Sequence, residues 1–161
     1  MEALDTFLLK HWIENLDIGP WFYRERIPLD SLTCRGEPSD LEMSIALSYS
    51  GDMQFGLIEV RNDAPSAYKE FRQTYGERQH HLEFIADDLD ANIERGRRLG
   101  YQMEQEGVFT NAGSFVNMSK GDTLGTKTEF IPMPEVRRKI RAEVKNWSVD
   151  RDGTEPVRTS I

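Results

Sequence analysis

Cysteine is almost absent: Cys34 stands alone among 161 residues. A single thiol forms no internal disulfide and no cysteine metal cluster, so nothing points to an oxidising compartment. Histidine is scarce as well, with His11, His80 and His81 making three in all. No apolar run approaches the roughly 20 residues that a membrane-spanning helix needs. Basic clusters of the nucleic-acid-binding kind are missing, and 20 basic against 28 acidic side chains give a net charge of -8. Such a chain repels phosphate backbones. The opening Met1-Glu2-Ala3-Leu4-Asp5 has no basic segment followed by an apolar one, so no secretory leader is expected there. The expectation is a cytoplasmic protein with neither nucleic acid nor membrane as partner.

What is present suits a globular domain: 38% hydrophobic and 30% charged residues over a length that fits one domain or two fused half-domains. Leu4, Phe7, Leu8, Trp12 and Leu16 recur at helical spacing over 3–16, and Asp17-Ile18-Gly19-Pro20 stops that helix. An aromatic strand follows from Trp21 to Ile27, then a loop over 28–40 marked by Pro28, Gly36 and Pro38. Leu41, Met43, Ile45, Leu47 and Tyr49 alternate with small or polar residues, which is a strand. Ser50-Gly51-Asp52 is a tight turn, and Met53–Val60 returns as a second strand. A short helix over 67–74, a strand over 79–86 and a helix over 88–99 ending at Gly100 come next. Strands near 101–108, 114–119 and 123–131 precede a final amphipathic helix over 135–147 and a loose polar tail.

The two halves repeat one order of elements. The first reads helix and three strands; the second reads strand, helix and three strands. Glu59 and Glu129 close the last strand of each half, and His81 lies on the strand that the first half lacks. Strand alternation groups Phe55, Leu57 and Glu59, then Gln79, His81, Glu83 and Ile85, then Lys127, Glu129 and Ile131. If the sheet curls, two carboxylates and one imidazole converge. That set suits a divalent ion such as zinc, iron, manganese, nickel or cobalt. Taken singly, each of the three is an ordinary surface or structural residue; the trio is the stronger signal.

Several stretches resemble glyoxalase-like members of the vicinal-oxygen-chelate superfamily (glyoxalases, bleomycin-resistance proteins and dioxygenases). They are Ile18-Gly19-Pro20-Trp21-Phe22, Arg35-Gly36-Glu37-Pro38, Tyr49-Ser50-Gly51-Asp52, Leu57-Ile58-Glu59, Ala64-Pro65-Ser66-Ala67-Tyr68, His80-His81-Leu82 and Asp87-Asp88-Leu89-Asp90-Ala91. The likeness covers about 3–132, and the Gly-Pro-Trp-Phe step combined with the His-His step is its most specific part. It implies an α+β fold of two βαβββ modules forming a cup-shaped mixed sheet, the first (1–62) without its opening strand, the second over 79–132. A C-terminal helix and tail occupy 133–161.

The resemblance further implies Glu59, His81 and Glu129 as metal ligands, with no counterpart for a fourth. Glu129 doubles as catalytic base, and Glu83, Tyr68, Tyr49 and Arg35 are candidates for contacting a small-molecule substrate. Tyr23 is a further pocket candidate. Relatives are often dimers, and the exposed edge left by the missing strand favours a homodimer. Two functions follow: a metal-dependent lyase, isomerase, epimerase or dioxygenase on a small oxygenated molecule, or a metal-free protein that sequesters one. A functional form with a longer N-terminal half is a third possibility.

Overall fold

The computed structural model describes residues 9–121 and 126–159. Among them the chain is α+β, with ten strands in two mixed sheets and helices that include a long C-terminal one. Residues 3–8 of the first expected helix, and 123–125 of the strand expected over 123–131, lie outside the described residues. The described chain falls into two compact units. One is formed by Met1–Ile27, Glu42–Arg61 and Arg138–Ile161, the other by Pro28–Leu41 and Asn62–Arg137.

The first unit carries a four-stranded sheet. Its strands are β1 (Trp21–Arg24), β4 (Met43–Ser50), β5 (Met53–Val60) and β10 (Val157–Arg158), in the order β10-β1-β4-β5. The end of the expected first helix is a short π-helical segment, His11–Asn15. From this helical stretch Leu9, Trp12 and Ile13 pack on Ile18, Trp21, Tyr23, Ala46, Phe55 and Leu57. Trp12 meets the rings of Trp21 at 5.9 Å and Phe55 at 5.2 Å. Trp21 is fully buried, and burying a large apolar side chain stabilises by about 1.5–3 kcal/mol. β4 and β5 pair without a break from Met43↔Val60 to Ser50↔Met53. Phe55, Leu57 and Glu59 therefore share the helix-covered face, and Gln54, Gly56 and Ile58 the opposite one.

β5 is the outer strand of this sheet, with no neighbour on its far side among the described residues. The tail is not loose. Val157 and Arg158 pair in parallel with Trp21 and Phe22, the Trp21 amide donates to Pro156 O at 2.8 Å, and the Arg158 guanidinium lies 4.1 Å over the Trp147 ring. Backbone pairing and two cation–π contacts of Arg158, over the Trp147 and Phe22 rings, hold a segment whose polar composition suggested a loose tail.

The second unit carries a six-stranded sheet in the order β3-β2-β7-β8-β9-β6. Its strands are β2 (Leu29–Cys34), β3 (Glu37–Pro38), β6 (His81–Ile85), β7 (Gln102–Phe109), β8 (Gly113–Ser119) and β9 (Lys127–Ile131). The expected loop over 28–40 is thus a hairpin, and β2 pairs antiparallel with β7. Arg35 and Gly36 have φ of 53° and 85°, the positive pair that a tight two-residue hairpin turn requires. Only Leu32 and Cys34 of β2 are deeply buried, so its apolar alternation is faint beside the Pro and Gly that frame it.

Helix α1 (Ala67–Tyr75) starts where the Ser66 hydroxyl accepts from the Lys69 amide, and α2 (Leu89–Arg98) where the Asp88 carboxylate accepts from the Ala91 amide. β6, α2, β7, β8 and β9 follow in chain order, and β9 returns to pair in parallel with β6. This is a complete βαβββ order; the first unit shows the same helix-and-three-strand order with β5 at the edge.

Leu89 and Ile93 of α2 pack with Met103, Val116, Met118 and Phe130 on one face of the sheet. Gly107 allows the sheet to close over Phe115, since a Cβ there would stand 2.5 Å from the Phe115 ring. A third helix, α3 (Glu135–Val149), ends in the first unit, so the 133–161 segment is not a separate body. Among the described residues no helix is long and apolar enough to cross a membrane.

Candidate functional site

On the second unit's sheet, residues that alternate with the α2-covered set face the other way. Register places Cys34, Gln105, Asn117, Glu129 and Glu83 side by side in one row across β2, β7, β8, β9 and β6. An irregularity between Met103 and Gln105 brings β7 into this register. Two residues along each strand from that row stand Ser119, Lys127 and His81, with His81 opposite Lys127. The helix-covered face is apolar, and this one is polar.

The three central residues of the row are bonded in succession. The Ala67 amide donates to Gln105 Oε1 at 2.9 Å, Gln105 Nε2 donates to Asn117 Oδ1 at 3.4 Å, and Asn117 Nδ2 donates to Glu129 Oε2 at 2.7 Å. Glu129 Oε2 then faces His81 Nε2 at 3.6 Å. The Nδ1 atoms of His81 and His80 are 2.9 Å apart. Asn117 is fully buried and Glu129 is 5% exposed, so the partners are what make their burial tolerable.

Burial is the main influence that raises the Glu129 carboxyl above the usual range. Glu83 adds to it, while His81, the Asn117 hydrogen bond and Arg137 oppose it. Burial, then the charge of Glu129, pushes the Tyr68 hydroxyl well above its ordinary value, against a hydrogen bond with Gln105. Burial and the neighbouring His81 drive His80 down to about 3. The His80 ring sits 4.9 Å from Tyr68 and 4.8 Å from Phe71, and its Nε2 is buried without a hydrogen bond of ordinary geometry among the described residues. A buried carboxyl whose pKa is raised, beside an imidazole nitrogen, is a pair suited to proton transfer.

A second buried polar group lies on the same face. Glu104 accepts from Lys127 Nζ at 2.8 Å and from the Ser119 hydroxyl at 2.6 Å. Its side chain is 6% exposed and that of Lys127 15%. Arg35 reaches it only at 3.8 Å, because its guanidinium is committed to Glu70, with Nη2 at 2.7 Å and Nε at 3.1–3.2 Å. Arg35, a candidate for contacting substrate, is thus placed in an ion pair.

The residues singled out in the sequence are divided between the two compact units. His81, Glu83, Glu129 and Tyr68 belong to this face and its cover. Glu59 and Tyr49 belong to the other compact unit, on β5 and β4. Glu59 shares the helix-covered face with Phe55 and Leu57, and its carboxylate takes a hydrogen bond from Arg61 Nη1 at 3.1 Å. Glu59 lies on the helix-covered face of its own unit's sheet, and Glu129 on the face of its unit's sheet that α2 does not cover.

Gln105, Asn117 and Glu104 were not singled out; His80 entered only through the His-His step, and Lys127 only through its strand face. The usable signal was Asn117, an amide inside the apolar run Phe115-Val116-Asn117-Met118.

The pair itself fits a metal ion in part. Nitrogen and oxygen ligands of zinc stand about 2.0–2.2 Å from it, so two neighbouring ligands are about 3.0–3.6 Å apart. The 3.6 Å between His81 Nε2 and Glu129 Oε2 lies at the upper end of that span. Among the described residues, however, no group of three or more His, Cys, Asp or Glu side chains is placed to hold a metal. No protein-family model matches this chain, and no curated protein matches it.

Proposed function

We propose that this chain is a glyoxalase-like enzyme of the vicinal-oxygen-chelate type, which moves a proton on a small oxygenated organic molecule at the His81–Glu129 pair. The observation that carries the reading is the buried carboxyl of Glu129, held 2.7 Å from an amide donor and 3.6 Å from an imidazole nitrogen on one polar sheet face. Lyase and isomerase reactions next to a carbonyl need one group to take a proton and one to steady the oxyanion. Glu129 fills the first role: a base with a raised pKa shuttles protons better near neutral pH. Asn117 fixes its orientation through Oε2.

A divalent ion, where bound, would draw two of its ligands from His81 and Glu129 and supply Lewis-acid stabilisation of substrate oxygens. Among the described residues no group of three such side chains is placed to hold it, so such an ion would be weakly held and would take further oxygens from substrate and water.

The alternative is a metal-free binding protein. It is favoured by the absence of a three-donor group among the described residues and by the closed Gln105–Asn117–Glu129 chain, which is satisfied without an ion. Thermal unfolding with zinc, nickel, manganese, cobalt or ferrous ion separates the readings. The enzyme reading expects at least one ion to raise Tm in the wild type and in Glu59→Gln, and not in His81→Ala or Glu129→Gln. Equal response in all four proteins, or none in any, leaves the metal-free reading.

A further inference from the structure

We infer that His80 is a positioning residue that holds the His81 proton on Nδ1 and so presents the His81 Nε2 lone pair to Glu129. The inference rests on the proposed His81–Glu129 centre for its chemical meaning and on three observations for its geometry. First, the two Nδ1 atoms lie 2.9 Å apart. Two like nitrogens bond only when one carries a hydrogen and the other does not.

Second, the direction of that bond follows from the far side of His81. Its Nε2 stands 3.6 Å from Glu129 Oε2. An N–H aimed at a carboxylate closes to about 2.7–3.2 Å, and 3.6 Å is outside hydrogen-bond range. The hydrogen between the two rings therefore sits on His81 Nδ1, and His80 accepts it. Third, the accepting ring is held in place, flanked by Tyr68 at 4.9 Å and Phe71 at 4.8 Å. Histidines that bind metals or act as bases commonly have one ring nitrogen fixed by an outer partner, usually a carboxylate or carbonyl. Here a second imidazole takes that place.

The tautomer is directly observable. The chain has three histidines, so a long-range proton–nitrogen NMR spectrum of the labelled protein contains three rings, assigned with His11→Gln and His81→Gln. The spectrum is taken with a chelator present, at about pH 8, above the ordinary histidine pKa of about 6.5. The wild type is expected to show His81 Nε2 at the downfield shift of a bare ring nitrogen and Nδ1 at that of a protonated one. His80→Phe keeps the ring packing and removes the acceptor, so the two His81 nitrogens move toward each other or exchange roles. His80→Gln, whose amide oxygen can accept, restores the wild-type pattern.

A wild-type spectrum with the proton on His81 Nε2 overturns the inference even if His80→Phe does not fold. So does a His81 pattern unmoved by His80→Phe. The readout is independent of turnover and of metal, so failure of the proposed enzymatic function would leave this result standing.

Discussion

Between about pH 6.5 and pH 3 the wild-type protein is expected to lose stability that His80→Phe keeps. An unfolded histidine titrates near 6.5, whereas His80 in the fold is held down to about 3, by burial first and then by the charge of His81. The unfolded chain therefore binds a proton in this window that the folded chain refuses. Stability rises with pH wherever the unfolded state binds more protons, so it falls as the pH is lowered through the window. A displacement of three to four units corresponds to roughly 4–5 kcal/mol once the window is crossed. Phenylalanine preserves contacts with Tyr68 and Phe71 and has nothing to protonate.

Glu129 works in the opposite sense. Its carboxyl is raised, so its contribution is fully present below the unfolded glutamate pKa and is lost as pH rises through the folded value. Urea unfolding at a series of pH values, in wild type, His80→Phe and Glu129→Gln, checks both signs. Parallel curves for wild type and His80→Phe on the acid side would remove the burial argument.

Lys127→Met should cost about 3–5 kcal/mol, far more than a typical surface lysine. It strips the nearest cation from Glu104, a buried carboxylate left with Ser119 at 2.6 Å and a distant Arg35 at 3.8 Å. Breaking one side of a buried pair leaves an uncompensated charge, while replacing both sides by apolar groups is often neutral or stabilising. The double variant Lys127→Met with Glu104→Leu is therefore expected to recover most of the loss. Denaturant midpoints of the wild type, both single variants and the double give the coupling directly. A double variant as unstable as the sum of the singles would show that the pair is not the unit argued here.

Periodicity made most elements legible. The alternation from Met53 to Val60 gives β5 with the bounds observed, and Gly100, with φ of 85°, ends α2 where a helix terminator is expected. What failed were short segments whose order comes from neighbours. β2 is a strand because β7 offers it an edge, β3 because β2 does, and β10 because β1 does. Neither edge is written in the residues of the segment itself.

The site divides in the same way. That Glu59 shares a face with Phe55 and Leu57 was readable. That this face is the one the first helix covers was not, since it depends on where Trp12 packs. The closeness of His81 and Glu129 needs the parallel pairing of β6 with β9. The inclusion of Gln105 needs the register shift after Met103, which leaves no mark in composition.

The central proposal is that His81 and Glu129 carry the chemistry and that it does not need Glu59. Solvent deuterium exchange tests this most directly. The protein is incubated in deuterium oxide with a panel of small 2-oxo and 2-hydroxy carbonyl compounds, with one divalent ion at a time, and carbon-bound deuterium is followed by NMR. The account predicts incorporation next to the carbonyl of at least one compound by the wild type and Glu59→Gln. It predicts a loss of about 10²–10⁴-fold in Glu129→Gln, the usual contribution of a general base, and a comparable loss in His81→Ala. Exchange that Glu129→Gln retains, exchange that Glu59→Gln loses equally, or no exchange with any compound would contradict it.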